Sequence, residues 1–230
     1  VTAGQQVDYA VDIVLCIDQT GSMAPIIESV KHHALSFSDE LRSALEKKDR
    51  YVDVLRVRVI GFRDYYYDGQ EAMDASEFFT LPDESTKFEA FVSGLTPKGG
   101  GDEPESGLEA LALAIKSPWT TAGTKKRQVI VVWTDASAHP LEKSSSTPIE
   151  AYPGGMPKDL DELTDWWEDP QSGSVDPRAK RLIIYAPDSA GWSEIASSWE
   201  ETVHFPSTAG EGLRDIEYQE ILSSIVESIK

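Results

Sequence analysis

The chain of 230 residues has a single cysteine, Cys16, so no internal disulfide is available. Cys16 lies within an apolar run, which marks it as a buried core residue. No stretch of about 18 apolar residues is present, so no membrane-spanning helix is expected. The chain begins at Val1 with no Met and no signal-like segment. With the lone cysteine this favours a cytoplasmic setting, although an excised or processed piece of a longer protein reads the same way. Basic residues are scarce, 21 Lys+Arg against 40 Asp+Glu, for a formal charge of −19. A surface of that sign repels phosphate backbones and anionic membranes, which disfavours nucleic acid and membrane as partners. It suits cation binding or a basic protein partner, while most of the charge serves solubility.

What is present describes an ordinary globular chain, with 40% hydrophobic residues and six tryptophans. The length supports one ample core, and a single domain over 1–230 is the natural expectation. Val11 to Ile17 is a short β-branched apolar run, as in a strand buried on both faces. A helix follows, with Ile26, Val30, Ala34, Phe37, Leu41 and Leu45 at spacings of three and four and Pro25 near its start. Val52 to Phe62 reads as a second strand. Its alternation of Val57 and Val59 with Arg56 and Arg58 places it near a sheet edge. Glu77 to Leu81 suggests a short edge strand.

Helical stripes recur at Phe88 to Leu95, Leu108 to Ile115, Trp192 to Trp199 and Tyr218 to Ile229. Strands are expected at Gln128 to Trp133, Arg181 to Ala186 and Thr202 to Phe205. Strands alternating with helices predict an α/β fold. The expected form is doubly wound, with a mostly parallel central sheet, one antiparallel edge strand and helices on both faces. The stretch 136–180 breaks the rhythm with a Ser-rich patch, prolines and glycines, and reads as an elaborated loop insertion within the one domain.

Parallel strands share a rim at their C-terminal ends, where ligands collect in doubly wound sheets. After the first strand that rim receives Asp18, Thr20 and Ser22 at alternate positions, with Gly21 allowing a tight turn. After the central strand it receives Asp135. Carboxylates, hydroxyls and water are what a small hard cation prefers, so Mg²⁺ is expected, with Mn²⁺ or Ca²⁺ as substitutes. Taken singly, Asp18 also reads as a helix N-cap and Thr20 and Ser22 as turn residues. Asp64 reads as a turn former or hydrogen-bond acceptor before a ligand. No second His or Cys lies near His139, so a loop-anchoring role fits it better than zinc or base chemistry. Tyr65 to Tyr67 and the Trp166–Trp167 pair suit either a partner surface or the core.

Three segments in order, DQTGSM from Asp18, GGGDEPE from Gly99 and VVWTDASAH ending at His139, resemble the metal-ion-dependent adhesion site of von Willebrand factor A domains. The set is similar to the subgroup in hemicentin-type proteins and alpha-kinases, where a turn like Phe62-Arg63-Asp64 follows the second strand. The resemblance implies a Rossmann-like fold in which Thr20 and Ser22 bind the metal directly and Asp18 and Asp135 act mainly through water. The family's middle-loop threonine is missing, and the substitute is either Asp102, the first side-chain oxygen after the glycines and the better candidate, or water. Gly101, Asp64 and His139 would then line the partner rim.

The resemblance implies a non-catalytic protein-binding module, adhesive or scaffolding, whose partner completes the metal coordination with an acidic side chain. The alternative is a Mg²⁺-dependent phosphohydrolase-like enzyme with Asp18 accepting the phosphoryl group. Haloacid-dehalogenase-like enzymes of that kind carry a second Asp two residues on, where this chain has Thr20. Nor does a nucleophile elbow surround Ser22.

Overall fold

The computed structural model describes residues 8–99, 103–142, 152–172, 174–213 and 216–229. Its centre is β1 (Tyr9–Asp18), ten consecutive buried residues, as a parallel strand requires when helices cover both its faces. β1 pairs in parallel with β2 (Val54–Phe62) on one side and β5 (Lys125–Trp133) on the other. β6 (Lys180–Pro187) and β7 (Thr202–Ser207) extend the parallel array beyond β5. The remaining two strands, β3 (Met73–Ala75) and β4 (Phe79–Leu81), both lie antiparallel on β2. The expected α/β fold with its mostly parallel sheet is therefore present.

Two expectations need correction. The antiparallel edge over Glu77 to Leu81 exists, but it is built in two collinear pieces. β3 covers Ile60 to Phe62 and β4 covers Leu55 to Val57. Between them Ser76 N–H donates to the Val59 carbonyl (2.9 Å), and Val59 N–H donates to the Ser76 hydroxyl (3.0 Å). A side chain thus completes the ladder where the strand is interrupted. β3 and β4 flank it, so β2 lies one strand in from the edge, near it as its alternation suggested. Its arginines are satisfied by polar groups on one face of the sheet, not by open solvent. Arg56 forks onto the fully buried Asp12 (2.8 and 2.6 Å), and Arg58 reaches Ser76 O and Ser117 Oγ, each at 2.8 Å.

The second correction concerns the first crossover. One continuous helix was expected from the spacing of Ile26 to Leu45. A 3-10 turn at Gly21–Met23 instead leads into α1 (Ala24–His33), and α2 (Phe37–Glu46) follows after a break. At the break the Ser36 hydroxyl bonds the His33 carbonyl (3.2 Å) and Glu40 Oε1 (2.6 Å), a local competitor of the helical ladder. The apolar phase survives the break, which is why the pattern alone reads as continuous.

The other helices are α3 (Tyr65–Asp68), α4 (Ser85–Gly94), α5 (Gly107–Ile115), α6 (Leu160–Glu168), α7 (Trp192–Ser198) and α8 (Tyr218–Ser228). Alternate β1 residues point to opposite faces. Ile13, Leu15 and Ile17 pack under α1, α2, α4 and α8, whereas Val14 and Cys16 pack under α5, α6 and α7. Within the stretch 136–180, Leu141, Leu163, Trp167 and Val175 join the second core. Trp167 stacks on Trp199 at 5.6 Å, while Trp166 is only half-buried, with Lys116 over its ring. The serines at 144–146 lie outside the described residues. Among the described residues, no helix is long and apolar enough to cross a membrane.

Candidate metal centre

The parallel register brings Asp18, Phe62 and Trp133 to one rim, and the loops beyond them meet there. Asp18 has no exposed surface. Its Oδ1 accepts the Thr20 backbone N–H (2.8 Å) and its Oδ2 accepts the Thr134 hydroxyl (2.7 Å). Burial pushes the Asp18 carboxyl up to about 6; those bonds pull it back, and the nearby Asp135 charge raises it further. Among the described residues, the groups that act on its charge include no Lys or Arg. This is a buried anion with hydrogen bonds but no countercharge, which is costly to ionise.

Beside it stand three oxygens in a chain. Thr20 Oγ1 lies 3.4 Å from Ser22 Oγ, which donates to Asp135 Oδ1 at 3.0 Å. Adjacent ligand oxygens of an octahedral Mg²⁺ with bonds of about 2.1 Å are about 3 Å apart. The donor set and spacing therefore fit such an ion. Among the described residues no three His, Cys, Asp or Glu side chains gather as a metal cluster. Two carboxylates with two hydroxyls is the hard-donor composition instead.

Asp135 is held from its far side as well. Its Oδ2 accepts Gly212 N–H (2.7 Å), and its backbone carbonyl accepts Gly210 N–H (2.9 Å). Gly212 has φ +66°, and a Cβ there would stand 2.0 Å from the Ser22 carbonyl oxygen. The segment before α8 thus rests directly on the Asp18–Ser22 loop.

Asp64 caps α3 by accepting Tyr66 N–H (2.9 Å), and the same oxygen lies 3.1 Å from His139 Nε2. Both side chains are buried, and the Tyr66 ring packs 4.7 Å from the imidazole. Glu105 and His139 exchange backbone contacts: His139 N–H donates to Glu105 O, and Glu105 N–H to Ser137 O, each at 2.9 Å. Ser106 N–H donates to Arg63 O (3.1 Å), and the Ser106 hydroxyl accepts Tyr65 N–H (3.0 Å). These bonds stitch together the turns after β2 and β5 and the segment before α5. Tyr65 is buried and Tyr67 is exposed, so the tyrosine run divides between core and surface. Gly101 and Asp102 lie outside the described residues.

The sequence profile of the von Willebrand factor A domain family matches residues 70–149. The chain is also 31% identical over 158 residues to alpha-protein kinase vwkA of Dictyostelium discoideum. The chain carries a von Willebrand factor A domain. The match to the kinase takes in 67% of this chain but only 23% of the kinase, so the A domain corresponds to a fraction of that protein. Among solved structures, the pilus adhesin SpaC of Lactobacillus rhamnosus GG superposes with TM-score 0.55 at 12% identity, over 97% of this chain and 31% of that one. The minor pilin PilB of Streptococcus sanguinis gives 0.54 at 13% identity, over 99% and 63%. At those identities the likeness is one of fold. Domains of this family are typically interaction modules without catalysis.

In this A domain, several residues at the rim have roles that their place in the sequence does not show. Thr134 lies in the VVWTDASAH segment, but its bond to Asp18 is visible only in the fold. Gly212 holds Asp135 from 77 positions away, which no local pattern reveals. Gln19 and Arg63 are both buried at the rim. The segments DQTGSM and Phe62-Arg63-Asp64 contain them without showing that they meet.

Proposed function

We propose that this A domain is a divalent-metal-dependent protein-binding module, with Mg²⁺ as its resident ion and Mn²⁺ or Ca²⁺ as substitutes. The observation that carries the reading is the run of Thr20, Ser22 and Asp135 oxygens at 3.0–3.4 Å beside the uncompensated carboxylate of Asp18. Thr20 and Ser22 ligate directly through their hydroxyls. Asp18 and Asp135 orient bound water, and Asp102 supplies the middle-loop ligand expected from its place after the glycines. The ion supplies a Lewis-acidic position that a partner's acidic side chain completes. Gly101, Asp64 and His139 frame that position. Residues 1–230 act as one domain, with 136–180 as an elaboration on it.

The alpha-kinase relative gives a context in which such a module recruits protein partners to a catalytic region elsewhere on a longer chain. Metal and partner affinity are then linked, each strengthening the other. A pull-down in Mg²⁺ and in EDTA, with the wild type and Asp135→Ala, tests the reading. Capture should need both the ion and Asp135, and capture that survives EDTA would remove the mechanism. A phosphatase assay in Mg²⁺, with Asp18→Asn as control, should give no turnover above background.

A further inference from the structure

Gln19 occupies the unspecified position between Asp18 and Thr20, and it is fully buried. Its side chain turns away from Thr20 and Ser22 into a junction of several segments. Gln19 Oε1 accepts from Arg63 Nη2 and from the Thr96 backbone N–H, both at 3.3 Å, and Nε2 donates to Asp74 Oδ2 at 3.4 Å. Its backbone joins the same junction: N–H donates to Phe62 O (2.8 Å), and its carbonyl accepts Lys98 N–H (3.0 Å). Arg63, itself buried, completes the hub by donating to Glu71 O (2.5 Å) and Thr96 O (3.2 Å). One amide thus links the Asp18–Ser22 loop to the end of β2, to β3 and to the segment 96–98.

The sequence makes room for this amide at one place. Gly61 lies on β2 beside Ile17, and a Cβ there would stand 2.0 Å from Gln19 Nε2 and 2.7 Å from Gln19 Cδ. Any larger residue at 61 would expel the amide from its bonds. The glycine is explained by that approach, and the approach makes sense only if the Gln19 conformation matters.

We propose that Gln19 is a positioning residue for the metal centre: through Arg63, Thr96 and Gly61 it fixes the Asp18–Thr20–Ser22 loop against the segment 96–98. This rests on the metal-binding reading above. Ligand hydroxyls bind well only when their backbone is already held, and groups that orient ligands change metal affinity about 10- to 100-fold when removed. Gln19 touches no ligand oxygen of Thr20 or Ser22 in the contacts described, so its effect would come through loop placement.

The test uses Mn²⁺ titration by calorimetry on the full chain, with hydrogen exchange of the Thr96 and Lys98 amides. Gln19→Leu keeps the packing volume and loses the bonds. It should weaken Mn²⁺ binding about tenfold or more and deprotect both amides, with the fold retained in EDTA. Gly61→Ala should reproduce the same loss by displacing an unaltered Gln19, which covers the case in which Gln19→Leu fails to fold. In a Gln19→Ala background, Gly61→Ala should cost little further. That non-additivity is a readout general destabilisation would not give. Unchanged Mn²⁺ affinity in Gln19→Leu or in Gly61→Ala, with a wild type that binds, overturns this inference alone. A wild type that binds no divalent ion overturns the metal reading and this inference together.

Discussion

Ser22 and Asp135 stand 113 positions apart in the chain, and the hydroxyl of the first donates to Oδ1 of the second across 3.0 Å. The other oxygen of Asp135 is taken by Gly212 N–H. One carboxylate therefore ties the loop after β1 to the segment that feeds the last helix. Whatever alters its bonding is felt on both sides.

The nearby Asp18 gives the clearest pH signature. Its carboxyl is pushed from 3.8 to about 6, so between those values the folded state binds more protons than the unfolded one. Stability of the metal-free protein then falls as pH rises through that window, by roughly 3 kcal/mol for about two pH units. Urea unfolding in EDTA from pH 4 to 7.5, compared with Asp18→Asn, isolates this from other carboxylates. The wild type should lose about that much relative to the variant, and parallel profiles would refute the assignment. Mg²⁺ at pH 7 should restore the wild type and leave Asp18→Asn unmoved.

Gly212→Ala places a methyl 2.0 Å from a backbone oxygen of Ser22, at φ +66°. A side chain could rotate aside; a carbonyl of the Asp18–Ser22 loop cannot do so without moving the loop. The left-handed backbone alone costs about 1–2 kcal/mol. We expect a lower melting temperature, together with weaker Mg²⁺ binding by calorimetry. An unchanged affinity would show that Ser22 tolerates the shift.

Asp12 is fully buried in the middle of β1, held by the Arg56 fork and by Thr120 N–H (2.7 Å). Arg56→Leu strands that carboxylate and should cost about 3–5 kcal/mol in chemical denaturation. Removing both charges, as Asp12→Leu with Arg56→Leu, should recover much of the loss, because an apolar pair needs no desolvation. A double variant as unstable as the single one would mean that Thr120 or the β1 backbone also depends on Asp12.

Periodicity made most of the fold legible, since β1, β5 and β6 are apolar runs and the helices show clear stripes. At β2 it placed the strand near the edge, where it lies, but it could not show that Arg56 and Arg58 meet Asp12 and Ser117. It missed β3, whose Met73-Asp74-Ala75 has no apolar alternation and is fixed only by the register of β2. At the rim, Asp18, Thr20, Ser22 and Asp135 were readable because each follows a buried strand. Gln19 and Gly212 were not, because their roles depend on approaches to Gly61 and Ser22 that only the folded chain creates.

Cys16 offers a way to measure the ion's effect on the whole fold. It lies on β1 two residues before Asp18, its sulfur is 3.7 Å from Ala110 O, and burial pushes its thiol to about 12. At pH 8 only about one thiol in ten thousand would be ionised, and none is exposed to reagent in the folded state. Labelling by a thiol reagent must then wait until the central strand opens, so its rate follows the unfolding equilibrium when reclosing is fast. An ion at 100 times its dissociation constant stabilises the native state by about 2.7 kcal/mol. Mg²⁺ at that level should therefore slow Cys16 labelling about 100-fold in the wild type. It should leave the rate in Asp135→Ala nearly unchanged. Rapid labelling of the native wild type would instead reveal a local opening of β1 beneath the site, and equal slowing in Asp135→Ala would place the ion elsewhere.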